Sequence, residues 1–147
     1  MVLLGTGDPF LEDRFRRAAA MHPRKIGVKI AFNNALAHKI EAGADMFVMP
    51  SRYEPCGLNQ IYSLRYGAVP VVHATGGLDD TIDEGTGFKF WTYHSEALLA
   101  AIRRACAVFA DHARWGEIVR RGMAKDFSWE ASAVAYVALY RRLIEQT

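Results

Sequence analysis

An α/β fold with a parallel, Rossmann-like sheet flanked by helices is predicted by three features of this 147-residue sequence. Short apolar runs bounded by turn residues alternate with longer segments of helical period, as strands alternate with crossover helices. The run DMFVMP at residues 45–50 has an apolar centre continuous enough for a strand covered on both faces. Two glycine-bearing loops, SRYEPCG and ATGGLDD, follow consecutive runs, where ligands bind at the carboxyl ends of parallel strands.

The elements follow in order. Residues 1–4 are a first strand, stopped by GTGDP, where Pro9 opens a helix with Phe10, Phe15 and Ala18 or Ala19 on one side and Glu12, Asp13, Arg16 and Arg17 on the other. Residues 25–32 form a second strand, and either Asn33 or Asn34 caps the helix at 35–42, which Gly43 ends. The third strand is 45–50. A helix over 57–66 is expected to turn Leu58, Ile61 and Leu64 inward and Asn59, Gln60 and Ser63 outward. AVPVVHA is a fourth strand and TGGLDDT the loop at its end; a short GFKFW run comes next. Three helices close the chain at 95–110, 113–125 and 129–145. The first carries the stripe Leu98, Ile102, Ala105, Phe109 and the last the stripe Trp129, Ala133, Tyr136, Tyr140, Leu143, with Ser128 as its cap. With no repeat, linker or biased tract, one domain over 1–147 is expected.

Composition narrows the function classes. Half the residues (51%) are apolar and 23% are charged, the balance of a globular chain rather than a disordered one. Lys and Arg exceed Asp and Glu by only 18 to 16, too few and too dispersed for a phosphate-tracking stripe, so nucleic acid is not an expected partner. No stretch approaches the ~20 apolar residues that span a bilayer, and no signal-peptide pattern opens the chain, so no membrane partner is expected. Cys56 and Cys106 lie in unlike contexts, which argues against a disulfide and fits a reducing cytoplasm.

The chemistry concentrates in the two loops. Gly57 opens a helix whose free N–H groups and positive dipole end suit a phosphate, and Gly76 and Gly77 offer the same on the neighbouring loop. Glu54 would repel a diphosphate and suits neutral hydroxyls instead, such as those of a sugar attached to it. Cys56 at a helix start has a nucleophile's setting, but no His is placed by sequence as its base, so it reads better as a small residue beside the ligand. The five histidines show no metal-ligand spacing and read as surface or cap residues. Tyr62 and Tyr66, at helical spacing, serve equally as core or as ligand contacts.

EPCGL at 54–58, Gln60, LRYG at 64–67, Pro70, TGGL at 75–78, Asp80 and Thr81, and DFSW at 126–129 together resemble the C-terminal domain of bacterial glycogen synthases and plant starch synthases, in order and in spacing. The resemblance runs essentially the whole chain. It implies a retaining glycosyltransferase of the two-domain GT-B architecture, moving glucose from ADP-glucose to the non-reducing end of an α-1,4-glucan, with no metal and no cofactor. By the same resemblance Glu54 is the glutamate that holds donor-glucose hydroxyls. The backbone of Cys56, Gly57 and Leu58 approaches the glucose and distal phosphate, and Thr75, Gly76 and Gly77 form the facing wall. Phe32 stands where an aromatic lies against adenine, and Gly5 and Gly7 are similar to a glycine pair near the nucleotide.

Two departures accompany the resemblance. Broader GT-B enzymes place a second glutamate eight residues after the first to hold the ribose; Tyr62 is there instead, as glycogen synthases tend to have it. The family also keeps a phosphate-binding arginine and lysine, and its acceptor domain, ahead of GTGDP, which implies that this chain is a partial donor domain and inactive alone. An uncovered first strand would then present an open edge that invites self-association. The alternatives are a UDP-sugar-dependent GT-B transferase and a non-catalytic nucleotide-binding or structural remnant.

Overall fold

A computed structural model describes residues 1–146 of the chain and resolves two compact units, Met1–Ala44 and Asp45–Thr147. In the first, β1 (Val2–Gly5) pairs in parallel with β2 (Gly27–Ile30), Gly5 opposite Ile30, and the crossover between them is α1 (Pro9–Met21). Asp8 sets the start of α1: its Oδ1 accepts from the N–H groups of Phe10 and Leu11 at 2.9 and 3.1 Å, with proline in the first turn. The expected amphipathic split of α1 holds only in part. Phe10 is exposed, whereas Glu12 is half-buried because its carboxylate receives the Gly7 N–H at 3.0 Å and the Arg16 guanidinium at 3.1 Å. Helix α2 (Asn34–Ala42) is capped by Asn33, whose Oδ1 accepts from Leu36 N at 2.8 Å, and Gly43 terminates it as expected.

The second unit is built on a three-stranded parallel sheet in the order β3 (Met46–Met49), β4 (Val69–His73), β5 (Phe88–Phe90). Between β3 and β4 runs α3 (Asn59–Tyr66); α4 (Gly76–Thr81) follows β4; α5 (Ser95–Phe109), α6 (His112–Met123) and α7 (Trp129–Glu145) follow β5. All five residues of β4 are buried. Alternation along it feeds opposite faces: Val72 joins Leu64, Leu78 and Ile82 on one, while Val71 packs with Phe90, Ala101 and Ala105 and Val69 with Trp115 and Ile118 on the other. Strand β3 departs from the expectation of burial on both faces. It lies at the edge of this sheet, and Val48 is exposed.

Three expectations about elements need correction. Helix α3 starts at Asn59 rather than at residue 57, because Gly57 adopts a left-handed backbone, φ +72°, that does not continue into a helix. Its inward face is made by Gln60, Ser63 and Leu64, an i, i+3, i+4 stripe, while Leu58 is exposed. The two polar residues are tolerated inside because Ser63 Oγ donates to Asn59 O at 2.6 Å and the Gln60 amide finds carbonyls of its own. Finally, TGGLDDT is not an open loop; α4 begins at its first glycine.

Candidate functional site

The loop over 50–58 leaves the carboxyl end of β3, and α4 starts at the carboxyl end of the adjacent β4, so the register of the sheet brings the two glycine-bearing segments together. Their backbones are in direct contact. Gly77 N donates to Glu54 O at 2.9 Å, and a β-carbon on Gly76 would collide with that same carbonyl. On Gly77 it would collide with the carbonyl of Cys56. Both glycines are therefore dictated by the approach of one main chain to another, and Gly76 also has φ +45°. The Gly77 N–H is engaged by Glu54, so this glycine builds the wall by its lack of a side chain rather than by offering a free amide.

Gly57 has a parallel role under the other loop. A β-carbon there would lie 2.5 Å from Gln60 Oε1 and 2.9 Å from Nε2, so the fully buried Gln60 side chain occupies the space beneath it. The Gln60 Nε2 donates to the carbonyls of Cys56 and Gly57, both at 3.0 Å, and reaches Thr81 Oγ1 at 3.3 Å. Leu58 precedes α3 without a side-chain cap, which leaves the first-turn N–H groups of the helix to another acceptor. Thr75, extended at φ −148°, likewise precedes α4 without capping it through its side chain. Glu54 is half-buried and Cys56 exposed, the latter with its Sγ 3.7 Å from Gly57 O.

Of the residues singled out in the sequence, Glu54, Cys56, Gly57, Leu58, Thr75, Gly76 and Gly77 thus belong to one neighbourhood at the ends of β3 and β4. Tyr62 is on α3, one turn on, and partly exposed. Gly5, Gly7 and Phe32 lie in the Met1–Ala44 unit, where they leave the carboxyl ends of the β1–β2 pair; Ala31 N donates to Gly5 O at 3.2 Å. Phe32 is 92% exposed there, too exposed to be core.

Three contributors had no role assigned from the sequence, although Thr81 is among the residues that carry the resemblance. His73 is buried, not a surface residue: its Nδ1 lies 2.8 Å from Ser51 O and its Nε2 3.2 Å from Trp91 O, at the ends of all three strands. Its place at the carboxyl end of an otherwise apolar strand was the available signal. Thr81 and Lys125 form the far support of α4, with Thr81 Oγ1 donating to Gly77 O and Lys125 Nζ donating to Thr81 O at 2.8 Å. Lys125 Nζ also lies 2.6 Å from Asp83 Oδ2. Partial burial pushes the Asp83 carboxyl up, but the Lys125 ammonium, the Gly85 N–H and the Thr86 hydroxyl outweigh it and hold the group below the usual aspartate range.

The arrangement can hold a neutral, hydroxyl-rich group beside Glu54 and an anionic one at uncapped helix N–H groups. Comparison with known proteins bears on the family and the fold. Residues 6–121 match the family Glycosyl transferases group 1. Glycogen synthases of Anaeromyxobacter sp. (strain Fw109-5) and Koribacter versatilis (strain Ellin345) are 57% and 55% identical, over 97% and 96% of this chain and 31% of each relative. The catalytic domain of starch synthase IV from Arabidopsis thaliana, bound to ADP and acarbose, superposes with a TM-score of 0.81 at 33% identity, over 96% of this chain and 31% of that one. A sucrose-phosphate synthase from Thermosynechococcus elongatus gives 0.67 at 28% identity, over 99% and 39%. The chain therefore spans about a third of the length of these relatives, and its parallel sheets and flanking helices are those of a GT-B glycosyltransferase. On the match over residues 6–121, the chain belongs to the group 1 glycosyltransferase family.

Proposed function

We propose that this chain supplies the donor-binding part of a cytoplasmic glycogen or starch synthase, which transfers glucose from ADP-glucose to the non-reducing end of an α-1,4-glucan with retention. The observation that carries the reading is the Gly77 N–H bond to the Glu54 carbonyl, with no room for a side chain on either paired glycine. It sets residue 54 against the TGGL segment, as a pocket for an activated hexose requires. In this reading Glu54 accepts hydrogen bonds from donor-glucose hydroxyls and attacks nothing. Retention follows from acceptor attack on the face from which ADP leaves. The negative charge that builds on departing ADP is met by backbone amides of residues 57–60 at the start of α3. The resemblance assigns Phe32, Gly5, Gly7 and Tyr62 to the nucleotide, and the exposed ring of Phe32 is suited to stacking on adenine.

ADP is favoured over UDP as the base by the starch synthase, whose structure holds ADP. Because the chain spans about a third of its relatives, the glucan acceptor is assigned to the remainder of such a protein, and the chain alone is expected not to turn over. Isothermal calorimetry with ADP-glucose, ADP and UDP tests the reading. Expected are weak binding of ADP-glucose at roughly millimolar levels, a preference for ADP over UDP, loss on Gly57→Val, and on Glu54→Ala a weakening of ADP-glucose but not of ADP. A folded chain that binds no nucleotide at such concentrations overturns it.

A further inference from the structure

The donor pocket just proposed is made of two main-chain segments from different crossovers, and something must fix their separation. Gly77 N–H to Glu54 O is one tie. The second is indirect. The Gln60 amide, with no exposed surface, directs its two N–H groups at three oxygens: Cys56 O and Gly57 O in the loop after β3, and Thr81 Oγ1 at the end of α4. Thr81 in turn gives its hydroxyl proton to Gly77 O, four residues back. Its hydroxyl is thus the junction at which the support of the Cys56–Gly57 loop meets the support of the Gly76–Gly77 segment.

The geometry of Gln60 shows that the amide is used as a donor. Its Oε1 is buried without a hydrogen-bond partner among the described residues, while the Cys56 and Gly57 carbonyls and Thr81 Oγ1 all face Nε2. A buried acceptor left unmet is unfavourable, and is tolerated where the donor side satisfies several carbonyls at once. Neither side chain is among those assigned to touch the donor.

We infer that Thr81 is a positioning residue of the donor pocket, its hydroxyl held between Gln60 and the Gly77 carbonyl so that the two loops keep one fixed spacing. The inference takes the pocket from the function proposed above; the clasp itself is a property of the unliganded chain. Lys125, donating to Thr81 O, secures the same residue from its main-chain side.

Thr81→Val removes the hydroxyl and keeps the shape; Thr81→Ser keeps the hydroxyl. Amide hydrogen exchange of the unliganded chain, followed residue by residue by NMR, reads the clasp directly. With the Val variant, exchange at the Gly77 amide should rise about tenfold, with Val71 and Val72 in β4 unchanged; the Ser variant should return it to the wild-type rate. Gln60→Met, which removes the same link from its other end, should raise Gly77 exchange as well. ADP-glucose affinity measured by calorimetry should fall about tenfold in Thr81→Val and recover in Thr81→Ser. Wild-type Gly77 exchange in both Thr81→Val and Gln60→Met overturns the inference, as does an increase spread equally through β4, which marks a general loss of stability. If exchange responds as stated while the wild-type chain binds no ADP-glucose, the clasp stands and the donor reading fails.

Discussion

Strand β4 and helix α7 are both rich in apolar residues, yet every residue of β4 is buried and none of α7 is. The contrast lies in their neighbours. Strand β4 is paired on both edges, and its two faces are covered by residues of α3 and α4 on one side and of α5 and α6 on the other. In α7 the expected stripe exists at the right spacing, and Tyr136 and Tyr140 even face each other at 6.4 Å, but the stripe is open to solvent. Periodicity reports which face of an element is apolar; burial also requires elements that pair with it.

The largest effects should come from the buried side of this contrast. Leu78, fully buried in the cluster beneath the TGGL segment, is expected to lose about 3–4 kcal/mol on Leu78→Ala, by transfer and cavity formation together. Urea unfolding followed by tryptophan fluorescence checks it; a change below about 1 kcal/mol would mean that the segment is loosely held. Next comes Gly77→Ala, about 2–3 kcal/mol. The new methyl would meet the Cys56 carbonyl, a main-chain atom that cannot rotate away, so donor binding should disappear along with the stability. Normal binding in that variant would separate the two loops functionally.

The same contrast explains what could be read in advance. The alternation of strands and helices, the start of α1 at Pro9, the Asn33 and Asn34 cap region and the span of α7 were legible because turn chemistry and apolar spacing are local. The convergence of Glu54 with Gly76 and Gly77 was legible because consecutive parallel strands deliver their following loops to one end. The identity of the buried face of α3 was not. Its stripe has helical spacing, but Gln60 and Ser63 look solvent-facing until the carbonyls they serve are in place. His73 and Lys125 were hidden likewise, since their partners Ser51, Trp91 and Thr81 are 22, 18 and 44 residues away.

A smaller effect tests the support at the far end of α4. The folded pKa of Asp83 is depressed, so its stabilising contribution is present above the ordinary aspartate value of 3.8 and is lost as pH falls through the folded pKa. Asp83→Asn should therefore be less stable than wild type near neutrality, with the gap closing as pH drops below about 3.8. The Asp83 side chain is 56% exposed, so solvent and salt screen the pair, and the gap should stay under about 1 kcal/mol and narrow further in high salt. A gap that widens in acid would reverse the assignment of Lys125 as its partner.

The smallest effect is expected on α7, and it decides whether the contrast with β4 is real in solution. Trp129 is 84% exposed and Tyr140 58%, so replacing them removes little apolar area that folding had withdrawn from water. The Tyr136–Tyr140 pair, at i, i+4 on one helix face, is worth only about 0.2–0.5 kcal/mol. Trp129→Ser and Tyr140→Ser should each shift the unfolding free energy by no more than about 0.5 kcal/mol. Fluorescence from the two remaining tryptophans, of which Trp115 is buried against Phe88 and Phe109, reports unfolding in the first variant. A loss of about 2 kcal/mol from either substitution would require those rings to be packed against something when the chain is folded, and α7 would then belong with β4 rather than opposite it.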